Sequence, residues 1–256
     1  MSTIAAPAVR PTGRNRILAV FRLYFANPTQ MVWQPLLILA FIFAVNWLIW
    51  LIVAVSSSGS ATEGMSTGTS WSGATAFAFV WPLVVATQAM NRTFPFALGF
   101  AATRRDFYLG TALALVAMCA GLAILIGVLA AVEDATNGWG LGGHMFAVTY
   151  FGADGPFART WYVFLLMLCF AFLGSVSGAL YVRWRTWGIL AFGAALAVLI
   201  IGTLAIVALT NGWADVFGFF AGLGFAGSYP LLLIPTVLSG IVGWAAIRGA
   251  TARSGS

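Results

Sequence analysis

The chain of 256 residues is 61% hydrophobic and only 7% charged, and its formal net charge is +6. A soluble domain carries about 25% charged residues, so this composition excludes an ordinary water-soluble globular protein. All 12 basic residues are arginines, and the absence of lysine excludes a Walker A phosphate loop and lysine Schiff-base chemistry within this chain. Because the arginines lie between apolar runs, membrane topology explains the charge better than nucleic-acid binding does, and no nucleic acid partner is expected.

The first predicted element is an amphipathic helix over residues 14–26, lying at the membrane interface within a cytoplasmic segment 1–30. Arg16 and Arg22 lie off its apolar face, where they could reach anionic headgroups. Val20 and Leu23 also fall outside that face. Pro28 is expected to end the helix. A plain basic anchor that fixes orientation is an equally good interpretation of the segment. The apolar face is made up of Ile17, Leu18, Phe21, Tyr24 and Phe25.

Six apolar runs follow, and a transmembrane helix needs about 20 such residues. The predicted spans are 32–55, 74–90, 107–132, 161–182, 188–210 and 229–247. The second is short and contains Pro82, so its ends are the least defined. The sequence therefore predicts an all-α, polytopic membrane protein with six transmembrane helices, a transmembrane domain over 31–248 and a cytoplasmic tail over 249–256.

The arginines set the predicted orientation. With the N terminus inside, the segments 91–106 and 183–187 and the C-terminal tail face the cytoplasm. Of the 12 arginines, all but Arg159 then lie inside, and of the six acidic residues all but Asp106 lie outside. This arginine bias is what the positive-inside rule requires, so both termini are predicted to be cytoplasmic.

Polar residues within the predicted spans are few and uncharged. No ionisable residue falls deep within a span, which argues against a proton-coupled carrier. The candidates to line a transport pathway are Asn46, Thr87, Gln88 and Thr203. For each of them, a hydrogen bond between helices is the more common role.

No constellation of catalytic or metal-ligating residues stands out, so neither enzymatic activity nor a cofactor is expected in this chain. The single histidine, His144, lies in a glycine-rich outer loop without a second ligand and is predicted to be solvated. Cys119 and Cys169 fall in apolar spans, where a thiol behaves as a small hydrophobe. Gly174 and Gly178 form a small-xxx-small pair, which predicts close packing of two helices.

The segment 91–110 is longer than a connection between two spans requires. Thr103 followed by Asp106 predicts a helix start, with a carboxylate near the positive end of the helix. The pattern indicates a short ordered segment, a turn at Gly99 and then a capped helix. Such a segment could bind a soluble partner, or its apolar residues could dip into lipid. These apolar residues are Phe94, Phe96, Leu98 and Phe100.

This segment resembles the cytoplasmic loop of ABC-2-type exporter permeases, the membrane subunits of bacterial ATP-binding cassette exporters. The run Phe-Pro-Phe-Ala-Leu-Gly at 94–99 is followed by Thr-Arg-Arg-Asp-Phe at 103–107. In that family the loop between spans two and three carries a coupling helix, often with a Ser/Thr-Arg-Arg/Lys element before span three. The six-span layout, the N-terminal amphipathic helix and the short apolar outer segment 211–228 are also similar.

The resemblance implies a permease in the bacterial plasma membrane that exports an amphipathic or lipophilic cargo, such as a drug, lipid or peptide-like metabolite. Its implied partners are cytoplasmic ATPase subunits, which would bind the ATP, and a second copy of the chain or a related permease. A membrane scaffold or accessory subunit is the alternative, and a secondary carrier ranks third because the two halves show no evident symmetry. The residues implied in ATPase docking are Arg92, Phe94, Phe96, Thr103, Arg104 and Arg105.

Overall fold

A computed structural model describes residues 13–26, 28–56, 61–99, 103–152 and 154–249. All regular secondary structure within these residues is helical, which confirms the predicted all-α class. Nearly all of the predicted tail 249–256, and Phe100 of the segment 91–110, lie outside them. The α-helices are α1 Gly13–Ala26, α2 Gln34–Ser56, α3 Ala61–Thr69, α4 Ala76–Gln88, α5 Phe94–Gly99, α6 Arg104–Ala135, α7 Pro156–Leu209, α8 Trp213–Ser228 and α9 Leu233–Arg248.

Four helical stretches are long and apolar enough to cross a membrane, fewer than the six predicted. They are Thr29–Ser56, Arg104–Ala135, Pro156–Leu209 and Trp213–Arg248. Their length and composition indicate a membrane-embedded protein.

The two numbers differ at two places. The predicted spans 161–182 and 188–210 lie on either side of Arg185 in α7, and the predicted second span contains the 13 residues of α4 and the start of a π turn. After α4 the helix continues through a π turn at Ala89–Thr93 into α5, but Gln88, Asn91 and Arg92 end its apolar character. The apolar run 74–90 is therefore helical over most of its length but short.

α7 reverses direction within its 54 residues. Arg185 has φ 56° and ψ −143°, a positive φ that L residues rarely adopt. In a straight helix, residues eight positions apart would be separated by about 12 Å. A Cβ atom at Gly188 would nevertheless lie only 2.7 Å from the carbonyl oxygen of Leu180. The chain therefore turns back sharply at Arg185, and α7 consists of two rods.

The first rod of α7 packs closely on α4, as the small-xxx-small pair predicts. A Cβ atom at Gly174 would lie 2.7 Å from the Cα of Leu83. One at Gly178 would lie 2.8 Å from the carbonyl oxygen of Thr87, and Thr87 Oγ1 donates a hydrogen bond of 3.1 Å to the carbonyl oxygen of Gly174. Only glycine allows this backbone approach, so the predicted close packing is confirmed.

α1 packs against the beginning of α6 through a face that the sequence pattern does not identify. Val20, which lies off the predicted apolar stripe, is buried, whereas Leu18 on that stripe is exposed. A Cβ atom at Gly110 of α6 would lie 2.6 Å from the Cβ of Val20, so the glycine makes room for this side chain. Val20 therefore extends the apolar face beyond the predicted stripe, because protein contacts as well as lipid define that face. The helix ends at Ala26, just before Pro28, as predicted.

The second rod of α7 and helix α8 carry apolar side chains that no other described part of the chain covers. Val198, Leu209 and Phe217 are examples of exposed residues in these helices. The predicted outer segment 211–228 contains α8, whose helix is interrupted at Gly224 with φ 62°. This surface would be costly in water, so it indicates contact with lipid or another subunit.

Candidate docking face and neighbouring cleft

The segment between α4 and α6 is anchored in the protein by Phe94. This side chain is fully buried, and its ring centroid lies 5.2 Å from that of Phe107 in α6. Both belong to an apolar cluster that also includes Val20 of α1, Leu180 of α7 and Ile247 of α9. A movement of α5 would therefore act on the helices around this cluster.

The start of α6 has the predicted cap. Thr103 has extended backbone angles, and its Oγ1 accepts a hydrogen bond of 3.1 Å from the backbone N–H of Asp106. Asp106 itself is buried in the first turn, where the positive end of the helix favours a carboxylate. The prediction of a helix start at Thr103 is confirmed, whereas the predicted turn after α5 borders residues 100–102, which lie outside the described residues.

Arg104 makes contacts within the chain. Its Nη1 donates hydrogen bonds to the carbonyl oxygens of Arg248, at 2.5 Å, and Ile247, at 3.5 Å. Arg183 approaches the same helix end, with Nη1 3.4 Å from the carbonyl oxygen of Ala245. Two cations thus lie at the C-terminal end of α9, where its dipole is negative. A partner could use Arg104 only by sharing or breaking these bonds.

The accessible candidates for docking are Arg92, Phe96 and Arg105. The side chain of Phe96 is 54% exposed, and both arginines are exposed. Among the described residues, no carboxylate lies within ion-pair distance of either arginine. Of the six residues expected to dock an ATPase, these three therefore have exposed side chains that a partner could reach, whereas Phe94, Thr103 and Arg104 make the contacts within the fold described above.

A cleft of about 340 Å³ opens beside this face, between α1, the start of α2 and the α4–α5 segment. Gln30 Nε2 donates a hydrogen bond of 3.2 Å to Gln88 Oε1 across it, and Trp81 Nε1 bonds to the Gln30 carbonyl oxygen at 3.2 Å. Tyr24 also lines the cleft, and burial raises the pKa of its phenol to about 12, so it remains a neutral hydroxyl. The lining is completed by Leu23, Met31, Val85, Ala89, Arg92, Thr93 and Phe96.

The four residues predicted to line a pathway are not brought together by the structure. Asn46 Nδ2 and Thr203 Oγ1 donate hydrogen bonds to carbonyl oxygens one turn back in their own helices, at 2.8 and 2.7 Å. Thr87 bonds across to α7, which is the helix–helix role described above. Gln88 lines the cleft beside the docking face. Within one chain these residues do not form a continuous polar path.

The opposite end of α6 contains a buried carboxylate whose role sequence reasoning missed. Glu133 is 0% exposed, and its two oxygens accept hydrogen bonds from three backbone N–H groups in the following loop. The donors are Met145 at 3.1 Å, Phe146 at 3.1 Å and Ala147 at 2.9 Å, and Trp139 Nε1 adds a bond of 3.2 Å. Glu133 thus organises the loop that follows α6.

The loop around Glu133 needs glycine because its backbone is left-handed. Asn137, Gly138, Trp139 and Gly140 have φ values of 49°, 68°, 58° and 79° in succession. A Cβ atom at Gly138 would lie 2.5 Å from the backbone nitrogen of Gly143. An acidic residue at a helix end before a glycine-rich stretch was the only local signal for this arrangement.

His144 is part of this loop and is not simply solvated, contrary to the prediction. Its side chain is 29% exposed, and Nδ1 is buried 3.5 Å from Glu133 Oε1 without a hydrogen-bond partner. Its backbone N–H donates to Thr69 Oγ1 at 2.8 Å, which ties the loop to α3. The glycine-rich context predicts a solvent-exposed side chain, but the turn places His144 against the carboxylate of Glu133.

Arg159, the exception to the predicted arginine bias, has a partner at this end of the molecule. Its Nη1 lies 2.8 Å from Asp134 Oδ2 in an ion pair with a half-exposed carboxylate. The pair partly neutralises the basic residue. Across the part of the chain that the structure describes, no three His, Cys, Asp or Glu residues are grouped to hold a metal ion.

Comparison with protein-family models, curated proteins and solved structures gives no match for this chain. Its functional interpretation therefore rests on the residues and their geometry.

Proposed function

We propose that this chain is the membrane-spanning permease subunit of an ATP-binding cassette exporter, with ATP bound and hydrolysed by separate cytoplasmic subunits. The observation that carries the proposal is the α5 segment, which is buried at Phe94 and exposed at Phe96. A partner pressing on Phe96 would transmit the displacement through the Phe94–Phe107 contact to α6 and the helices packed beside it. The cargo would be an amphipathic or lipophilic compound.

The proposed topology has six crossings and places the start of α6 in the cytoplasm of a bacterial plasma membrane. Its support is the fold-back of α7 at Arg185, which allows that helix to cross twice, and the position of the arginines. Arg104 and Arg183 meet at the end of α9, while Arg159 pairs with Asp134 at the other end. This distribution favours both termini inside.

A second copy of the chain, or a related permease, is the proposed partner within the membrane. The support is the second rod of α7, whose apolar side chains have no cover from the described remainder of the chain. Because the polar candidates Asn46, Thr87, Gln88 and Thr203 are scattered in one chain, a transport pathway would have to form between two permeases. Lipid would cover the apolar surface that remains.

Replacing Phe96 with alanine and Arg105 with glutamate together should lower recovery of the ATPase about tenfold, because an aromatic anchor and a matching charge are removed. The measurement is quantitative co-purification in mild detergent. Phe157→Ala is the matched control, since Phe157 is exposed but lies near the opposite end of the molecule, two residues before Arg159. Unchanged ATPase recovery with the double variant would contradict the docking assignment.

A membrane scaffold that anchors a partner and moves nothing is the second candidate, favoured by the absence of a continuous polar path among the described residues of one chain. Such a protein would retain the docking face but have no cargo. ATPase activity of the complex separates the two functions, because stimulation by cargo is expected only of the exporter. A secondary carrier needs no ATPase and would fail the co-purification itself.

A further inference from the structure

The cleft between α1, the start of α2 and α4–α5 combines one cationic group with polar and apolar walls. Arg92 is exposed, and no described carboxylate lies within ion-pair distance of it. The residues that line the cleft include no acidic residue. The charge that would complete this site is therefore negative.

The polar part of the cleft offers neutral hydrogen-bonding groups next to Arg92. Gln88 uses Oε1 to accept the bond from Gln30, so its amide nitrogen remains a donor on the cleft wall. Tyr24 and Thr93 also line this part of the cleft with neutral hydroxyl groups, and the Tyr24 hydroxyl is hydrogen bonded to Thr111 Oγ1 at 3.0 Å. A guanidinium beside amides and hydroxyls suits a phosphate that carries a hydroxylated headgroup.

The other part of the cleft is apolar. Leu23, Met31, Val85 and Phe96 form this wall, and Leu23 and Phe96 are also exposed at the surface. A free phosphate would gain nothing from these side chains. The beginning of an acyl chain would bury these side chains, and the rest of the acyl chain would continue into the bilayer. The long apolar stretches that contain α2 and α6 indicate that the protein lies in a bilayer.

We propose that this cleft binds one acidic phospholipid, with its phosphate at Arg92 and its first methylene groups against Leu23, Met31 and Phe96. The volume of about 340 Å³ holds a headgroup and the start of the chains, while the remainder stays in lipid. The assignment of this lipid to the cytoplasmic leaflet rests on the proposed topology. The lipid would fill the space between α1 and the α4–α5 segment. The position of α5 would then depend on how much acidic lipid the leaflet contains.

The test is native mass spectrometry of the full chain in detergent, titrated with phosphatidylglycerol or with phosphatidylcholine of the same acyl chains. The wild-type chain is expected to bind phosphatidylglycerol about fivefold more tightly than phosphatidylcholine, because one basic side chain near an anionic lipid contributes a factor of about this size to the affinity. Arg92→Gln should abolish this preference. Leu23→Trp, which fills the apolar part and leaves Arg92 in place, should weaken binding of both lipids.

Arg105→Gln is the matched control, because Arg105 is exposed on the same segment but does not line the cleft. It should keep the wild-type preference. Equal losses in the two arginine variants, or no preference in the wild-type chain, would overturn the proposal. Glycerol phosphate that displaces the lipid with equal affinity would also overturn it, since the site would then be one for a soluble anion. Because the isolated chain is titrated, the result does not depend on whether an ATPase associates.

Discussion

Replacing Glu133 with alanine is expected to lower the free energy of unfolding by about 4 kcal/mol, because several buried donors lose a charged acceptor at once. The donors are the backbone N–H groups of Met145, Phe146 and Ala147 and the indole of Trp139. Without the carboxylate, these N–H groups could reach other acceptors only if the left-handed turn of the loop unfolded. Equilibrium unfolding in mixed detergent micelles, followed by tryptophan fluorescence, measures the loss.

Two further variants make this expectation specific. Glu133→Gln should recover at most half of the loss, because an amide offers one acceptor oxygen and sets its own N–H groups against the remaining donors. Asp134→Ala is the neighbouring control. Its half-exposed pair with Arg159 should contribute less than about 1 kcal/mol. If both alanine variants were equally stable, Glu133 would not organise the loop.

Replacing Gly174 with alanine is expected to destabilise the fold by about 2 kcal/mol, since the added methyl group would overlap the backbone of Leu83. Backbone atoms cannot rotate away as a flexible side chain can. The helices must therefore separate, which would also stretch the hydrogen bond from Thr87 to Gly174. The same micelle unfolding assay measures the change.

Gly193→Ala is the matched control for that substitution. Gly193 lies in the second rod of α7, and a Cβ atom there would meet nothing within 4 Å. The exchange should change stability by no more than about 1 kcal/mol, in the stabilising direction that helix propensity favours. A Gly174→Ala protein as stable as the Gly193→Ala protein would show that the contact between α4 and α7 is not tight.

The features that local pattern predicts are those whose cause lies within a few residues. The cap at Thr103 follows from the hydroxyl and the carboxylate three residues later, and the end of α1 follows from Pro28. Close packing at Gly174 and Gly178 follows from two small residues one turn apart. The helical class follows from the apolar runs, because a helix lets a segment in lipid satisfy its backbone hydrogen bonds within itself.

The features that local pattern misses depend on partners far away in the chain. Arg104 caps a helix end 144 positions later, and nothing near it in sequence indicates that contact. Val20 is buried because Gly110 of another helix leaves room for it. Glu133 was predicted as an outer charge, since composition alone does not distinguish a solvated carboxylate from one that receives backbone N–H groups.

The boundaries of the apolar runs agree with the structure at one place and not at another. Hydropathy separates 161–182 from 188–210 at a short arginine-containing stretch, and the non-helical backbone of Arg185 divides α7 in the same stretch. The second run is apolar enough to be noticed but too short to form a long rod, because Gln88, Asn91 and Arg92 end its apolar character. The described residues therefore contain four long apolar helical stretches, against six predicted spans.

The sequence predicts a candidate docking face but does not distinguish its residues. Phenylalanines on the predicted cytoplasmic segment indicate a contact surface, and the pattern treats Phe94 and Phe96 alike. The structure buries the first against Phe107 and exposes the second. This difference depends on the rotation of α5 against α6, which follows from packing and not from the order of residues.

Co-purification of the tagged full chain from its native membranes in mild detergent, followed by mass spectrometry, tests the central claim most directly. The account predicts an ATP-binding cassette ATPase at near-equal stoichiometry, lost in the Phe96→Ala, Arg105→Glu double variant and kept in Phe157→Ala. Recovery of no nucleotide-binding partner, under conditions that keep a control exporter intact, would contradict it.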